Sequence, residues 1–285
     1  AAALLACLVA FVPAHAQRIE ISYPAASARP LAPTAPITGR AYVFVARSDR
    51  TEPRLQSGST RRSEPFFGID VEALAAGQSV TFDATTPGFP LASLKDLPAG
   101  EYFVQGLLVP YTRVRRSDGR TIWAHMDAGE GQRFNDSPGS LVSEVRKVRI
   151  DPASRATISL SLTRTIPPVT RPAETEWVKR VRIDSRLASA FWGHPMPLGA
   201  VVLLPKDYER DPSRRYPVVY TVGHFSERAP FGFTFEGCDR VESPEARAAS
   251  LLRSERETGC EFQQAWTTGK VPEFIAVFIQ HTTPY

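Results

Sequence analysis

The sequence predicts an all-β sandwich followed by a smaller α/β portion, and three observations carry that expectation. From residue 18 to about 164, short runs of alternating apolar and polar residues recur between clusters of Gly, Pro, Ser and Asp, the mark of half-buried strands joined by turns. A proline-rich stretch, TIPPVTRPAETE from Thr165 to Glu176, then reads as a linker with nothing to pack. Beyond it, continuous apolar runs flank a helical region, as in buried strands joined by a crossover.

The β-rich portion builds from period-two patterns. RIEISY places Ile19, Ile21 and Tyr23 on one face, and AYVFVA sets Val43 and Val45 against Tyr42 and Phe44. ATISLSLT alternates Ile158, Leu160 and Leu162 with Ser159, Ser161 and Thr163. SVTFDA, EYFVQGLLVPY and VRKVRI lie between them, which makes enough short strands for a sandwich. The segment LKDLPAGEYFVQGLL, Leu94 to Leu108, leads into its strand through Leu-Pro-x-Gly-x-Tyr and resembles transthyretin-like and related accessory sandwiches. The resemblance implies an Ig-like or transthyretin-like sandwich over residues 17–164.

After the linker, VKRVRIDSRLASAFWG and LGAVVLLPKDY read as an antiparallel pair of strands. YPVVYTV follows; Tyr216, Val218, Val219 and Tyr220 make it a strand buried on both faces, in the middle of a parallel sheet. Ser243 can cap a helix over PEARAASLLRSERET, with Pro244 in its first turn and Gly259 at its end. CEFQQAWTTG is helical again, with Phe262, Ala265 and Trp266 at helical spacing and Gly269 as a stop. EFIAVFIQ then completes a strand–helix–strand crossover. Trp192 and Trp266 read as core, His125 and His194 as structural.

Composition narrows the function classes. A hydrophobic fraction of 42% and a charged fraction of 22% are those of a globular chain. The net charge of +4 comes from arginines scattered among acidic neighbours, with no basic stripe interleaved with aromatics, so no nucleic-acid partner is expected. The first sixteen residues, AAALLACLVAFVPAHA, are uncharged and end in Ala-His-Ala, which reads as a signal peptide, residues 1–16, cut after Ala16 and begun upstream of the first residue here. Leu4 to Cys7 also resembles a lipoprotein box, although the residues after Cys7 stay apolar. No later stretch is long and apolar enough for a membrane span, so the expectation is a secreted or periplasmic protein. With Cys7 removed, Cys238 and Cys260 form an even pair in an oxidising compartment, read as a disulfide, with two separate buried thiols as the alternative. No metal site and no cofactor are expected, since no zinc-like ligand spacing occurs. GEGQRF has Phe134 where a dinucleotide loop needs glycine, and QAWTTGK has Gln264 where a phosphate loop does.

The stretch LGAVVLLPKDYERDPSRRYPVVYTVGHF has a strand ending in Leu-Pro-x-x-Tyr, a polar turn, Tyr-Pro-Val, and a strand ending at a glycine-containing loop. With PEFIAVFIQHTTPY, Pro272 to Tyr285, it resembles the opening of the putative-esterase branch of the α/β-hydrolase fold, the group of enterochelin-esterase-like and feruloyl-esterase-like enzymes. The resemblance implies that residues 177–285 are the N-terminal part of such a domain, its remainder lying beyond Tyr285. It implies a serine-nucleophile carboxylic-ester hydrolase acting on a small-molecule or glycan-linked ester. It also implies that the loop Gly223, His224, Phe225 supplies a backbone N–H to an oxyanion hole. Relatives carry His then Gly where this chain has Gly223 and His224, which leaves open which amide points into the site. His224 has an equal reading as a histidine packed against the sheet edge. His281 and Tyr285 follow the next strand and are possible substrate-edge residues, with ordinary loop residues as the alternative. No Gly-x-Ser-x-Gly occurs in the chain, so nucleophile, acid and base are not expected within it, and the 285 residues alone read as inactive. The competing class is a non-enzymatic exported protein that binds a glycan or an envelope partner through its sandwich.

Overall fold

The computed structural model describes residues 17–24, 36–125, 133–222, 227–236, 238 and 259–280. They fall into two compact units, one within residues 1–112 and 132–168, the other within 113–131 and 169–285.

The first unit is β-rich. Its strands are β1 Arg18–Ser22, β2 Ile37–Ala46, β3 Phe66–Leu74, β4 Ser79–Phe82, β5 Gly88–Phe89, β6 Gly100–Arg115, β8 Leu141–Ser143, β9 Arg146–Ile150 and β10 Thr157–Thr165, while β7 Thr121–His125 falls in the second unit with the last residues of β6. The order is β4-β1-β10-β8-β6-β2-β3-β5, with β9 also on β6. Strand β10 changes partner along its length: Thr157–Ser161 run parallel to β1, and from Leu162 it pairs antiparallel with β8, with a register shift between Leu162 and Arg164. One strand thus serves two layers, which fits the expected sandwich. Ile19 and Ile21 of β1, Tyr23 just after it, and Ile158, Leu160 and Leu162 of β10 are buried with Ala41, Val43 and Val45 of β2 and Val104 and Leu108 of β6. The other face of β2 presents Tyr42 and Phe44 to a second cluster with Leu107, Val109 and Val142. The alternation read from the sequence is therefore the real partition of side chains. Tyr102 donates from its hydroxyl to the Pro98 carbonyl at 2.7 Å, pinning the turn that leads into β6.

Strands β3, β5, β7 and β8 carry no pattern that the sequence reading separated from loop. Ile166, within the stretch expected to pack nothing, is buried in the second cluster, its amide donating to the Ser140 carbonyl and its own carbonyl accepting from Gly139.

A short helix, α1 Pro53–Gln56, holds Arg54, whose side chain is only 9% exposed. A buried guanidinium must be fully hydrogen-bonded or it destabilises the fold by several kcal/mol. Arg54 bonds Glu52 at 2.9 Å, the Asn135 carbonyl at 2.8 Å and Asp136 at 2.6 Å. Burial alone would raise the Glu52 pKa, but hydrogen bonds from Gln105 and Arg54 and the charges of Arg54 and Arg164 outweigh it and hold the carboxyl below its ordinary 4.5.

The second unit contains β11 Val178–Asp184, α2 Arg186–Trp192, β12 Pro197–Leu203, β13 Val218–Val222, α3 Gly259–Thr267 and β14 Ile275–Gln280. The sheet order is β11-β12-β14-β13, antiparallel at the first two pairings and parallel between β14 and β13. The antiparallel pair and the parallel crossover are as expected. Helix α2 is a finding: Ser185 caps it by accepting from the Ala188 amide at 3.2 Å, and Gly193 ends it in the left-handed region at φ 72°. Trp192, expected in the core, lies half-buried at its end, where Arg116 stands over the Phe191 and Trp192 rings.

Register divides this sheet into two faces. Val178, Val201, Leu203 and Ala276 share one face and pack on Trp266 of α3 and on Phe233. Val181 and Ile183 share the other with Leu198 and Ala200, with Val277 and Ile279, and with Val218, Tyr220 and Val222. That second face is open over much of its area, with Ile183 58% exposed, Tyr220 68% and Val222 63%, although Val202 on it is buried. The expectation that β13 is buried on both faces is therefore corrected. Among the described residues it is an edge strand, with Val219 exposed on one face and Val218, Tyr220 and Val222 on the other, and the apolar strand left bare is VVYTV rather than FIAVFI, since β14 pairs on both sides. The helix expected to end at Gly259 lies outside the described residues. Gly259 is the first described residue of α3, and a β-carbon there would collide with the Gly232 carbonyl.

Two outcomes follow from this packing. Depressed carboxylate pKa values stabilise above the unfolded-state value and lose that contribution as pH falls. A melt of the β-rich unit by circular dichroism between about pH 6 and about pH 3.5 should therefore show a larger fall in the native chain than in Glu52→Gln. Tyr220→Lys, on the open face, should change the melting temperature little and lower both dye binding and self-association in light scattering. An unchanged association state would mean that another surface drives it.

Candidate functional site

In a sheet with parallel strands, ligands gather outside the carboxyl ends. Here those ends belong to β13 and β14, which finish side by side with Val222 opposite Ile279, while Gly199 at the start of β12 stands opposite Gln280. Gly223, His224 and Phe225 follow Val222 in sequence, and His281 and Tyr285 follow Gln280. All five lie outside the described residues, as do the 1–16 segment with Cys7 and the stretch Ser243 to Thr258.

What the structure does show is how the chain is held just after the loop. Glu227 pairs with Arg180 of β11, whose guanidinium also donates to the Glu227 carbonyl at 2.8 Å and to the Pro172 carbonyl at 2.9 Å. The Arg180 amide donates to Glu174 at 2.7 Å, and Arg171 approaches Glu227 at 3.5 Å. Arg180 thus ties two separate segments, 172–174 and Glu227, to one strand. The proline-rich stretch is fastened here as well as at Ile166. The sequence held no signal for this pairing, because 47 residues separate Arg180 from Glu227.

From Glu227 the chain crosses the covered face. Phe231 sits at φ 57° in the left-handed region, with its ring 5.0 Å from Phe262 and 5.4 Å from Phe278. A non-glycine residue adopts that conformation only where its surroundings hold it. Three aromatic neighbours, the Gly232–Gly259 approach and a disulfide supply the restraint. Cys238 and Cys260 are bonded, with α-carbons 5.4 Å apart, as expected from the even cysteine pair. The bridge joins the segment after β13 to the first turn of α3. Trp266, expected as core, is buried and donates its indole N–H to the Leu204 carbonyl at 2.9 Å, so α3 is fixed at both ends. Gly269 stops α3 at φ 74°, and the Lys270 amide returns to the Ala265 carbonyl at 2.9 Å.

A cavity of about 290 Å³ opens in this unit at the opposite edge, lined by Trp177, Pro205 and Lys206 to Arg210. It lies by the amino ends of the parallel strands, away from the loops singled out from the sequence. His194 follows α2 with Nδ1 3.1 Å from the Pro195 carbonyl, and its buried Nε2 has no hydrogen-bond partner among the described residues. His125 closes β7. No family model matches this sequence, and comparison with curated proteins returns no match.

The disulfide has a clean test, because all four tryptophans, Trp123, Trp177, Trp192 and Trp266, belong to the second unit. Cys238→Ser should lower the denaturation midpoint read by tryptophan fluorescence, with a loss of about 3 kcal/mol for a bridge of 22-residue separation. Reduction of the native chain should reproduce the shift. Equal fluorescence midpoints with and without reductant would show that the bridge restrains nothing.

Proposed function

We propose that the second unit is the N-terminal part of an exported carboxylic-ester hydrolase of the serine-nucleophile type, acting on a small-molecule or glycan-linked ester. The observation that carries this reading is the sheet: an antiparallel pair leads into a parallel crossover whose two strands finish side by side at Val222 and Ile279, shortly before Gly223 and His281 in the sequence. The likeness of LGAVVLLPKDYERDPSRRYPVVYTVGHF to the putative-esterase pattern stands beside it. Export is supported by the disulfide; among the described residues no helix is long and apolar enough to cross a membrane.

In acyl transfer, negative charge builds on the substrate carbonyl as the nucleophile adds, and a fixed backbone N–H aimed at that oxygen lowers the barrier. The loop Gly223, His224, Phe225 would supply it, with glycine allowing the substrate to approach the backbone. Its downstream flank is the segment held by Arg180, Phe231 and the disulfide, a rigid support for a group that must not reorganise during reaction. The chain has no Gly-x-Ser-x-Gly, so a nucleophile would have to come from a further strand. The free edge of β13 accepts one, and the bare face over Val181, Ile183, Tyr220 and Val222 accepts the covering such a sheet needs.

The test is hydrolysis of a p-nitrophenyl acyl ester, together with labelling by a serine-reactive phosphonate. The 285 residues alone should be inert and unlabelled, because an oxyanion loop cannot form the acyl-enzyme without nucleophile and base. A longer chain that adds Gly-x-Ser-x-Gly followed by an acid and a histidine should hydrolyse and label. Labelling of a serine within the 285 residues would overturn the reading, and so would an inert longer chain.

A further inference from the structure

The β-rich unit holds a feature with no part in that chemistry. On the face of β2 and β3 that carries Tyr42 and Phe66, an open hollow of about 380 Å³ is walled by Phe66, Phe89 and Phe134, with Arg40 at its rim. The Tyr42 ring lies 4.8 Å from Phe134, Phe66 lies 5.6 Å from Phe134, and Phe89 lies 6.3 Å from Phe66. Packed interiors close such volumes, and these three phenyl rings stay only partly buried around it.

The hollow is built rather than left over. Gly68 forms its floor, where a β-carbon would stand 3.0 Å from the Arg40 Nε and from the Tyr42 ring. Phe134 precedes Asn135 and Asp136, the two residues that the buried Arg54 grips, so this wall is fixed to α1 by a charge that cannot let go cheaply. The Asn135 side chain returns a hydrogen bond to the Arg54 carbonyl. At the rim Arg40 bonds Asp70 at 2.7 Å and the Gly68 carbonyl at 3.4 Å. Burial raises the Tyr42 hydroxyl pKa, so it stays a neutral donor and acceptor beside Tyr111.

We propose that this hollow binds one neutral glycosyl unit of an oligosaccharide. A pyranose ring has an apolar face of C–H groups and a girdle of hydroxyls, each both donor and acceptor. The phenyl walls match the first, and the Arg40–Asp70 pair matches the second, with guanidinium donors and carboxylate acceptors side by side and no net charge. The volume lies within the range of small-ligand clefts. A fatty acyl chain fits worse, because it would bring methylenes against an ion pair it cannot hydrogen-bond. A proline-rich peptide needs an extended aromatic groove rather than one hollow. The inference is independent of the esterase reading.

The experiment titrates the full 285-residue chain, labelled with ¹⁵N, with xylotriose, cellotriose, maltotriose and chitotriose in turn. At least one should move the amides of Phe66, Gly68 and Phe89 with a dissociation constant on the order of 1 mM or tighter. Phe134→Ala and Arg40→Ala should each weaken that binding about tenfold or more. Asp70→Ala supplies a variant that keeps the fold, since the Asp70 side chain is 75% exposed, and it should weaken binding as well by freeing Arg40. Failure of all four saccharides to move these amides would overturn the proposal. So would equal affinity in native and Asp70→Ala chains, or occupation of the hollow by octanoate or decaproline and by no saccharide.

Discussion

A strand layer with two apolar faces must have both covered, and that constraint organises each unit of this protein. In the first unit every residue from Ala41 to Ala46 is buried, with Val43 and Val45 in one core and Tyr42 and Phe44 in another. The first core closes because β10 passes from one layer to the other at its register shift. The second closes with Ile166 and with the segment carrying Phe134. In the second unit α3 and Phe233 cover one face of the sheet, while the other stays open among the described residues.

Two arginines hold loops where apolar packing does not reach. Arg54 fastens the 135–136 segment to α1, and Arg180 fastens Glu227 and the 172–174 segment to β11. In each case one guanidinium serves several acceptors in a fixed fork, so that loss of any partner leaves charge unsatisfied in a partly dry place. Each also stands next to a feature of functional interest: Arg54 beside the aromatic hollow, Arg180 beside the end of the loop after β13. Charge thereby contributes positioning more than bulk stability.

Restraint on the segment that follows Glu227 is redundant. The disulfide, the Gly232–Gly259 approach and the aromatic contacts of Phe231 all act on the chain between Glu227 and Cys238. Under the proposed esterase reading such support would suit a loop whose amides meet a developing charge, since motion would have to be frozen out during reaction.

The sequence by itself determined what is local. Period-two alternation placed Ile19, Ile21 and Tyr23, Val43 and Val45, and Ile158, Leu160 and Leu162 in the core, because one-residue steps along a strand reverse a side chain's direction whatever the fold. The cysteine pair, the Gly269 stop and the antiparallel-then-parallel strand pattern were legible for similar reasons. Only the tertiary structure decided which apolar strand lies at an edge: VVYTV reads the same in the middle of a sheet and at its margin, and its exposure depends on neighbours far along the chain. The same holds for the close approach of Gly259 to Gly232, and for the partners of Arg54 and Arg180, 82 and 47 residues away. Composition and spacing report how a residue meets its neighbours in the chain; close approach, pairing of charges and coverage of a face are set by segments that only folding brings together.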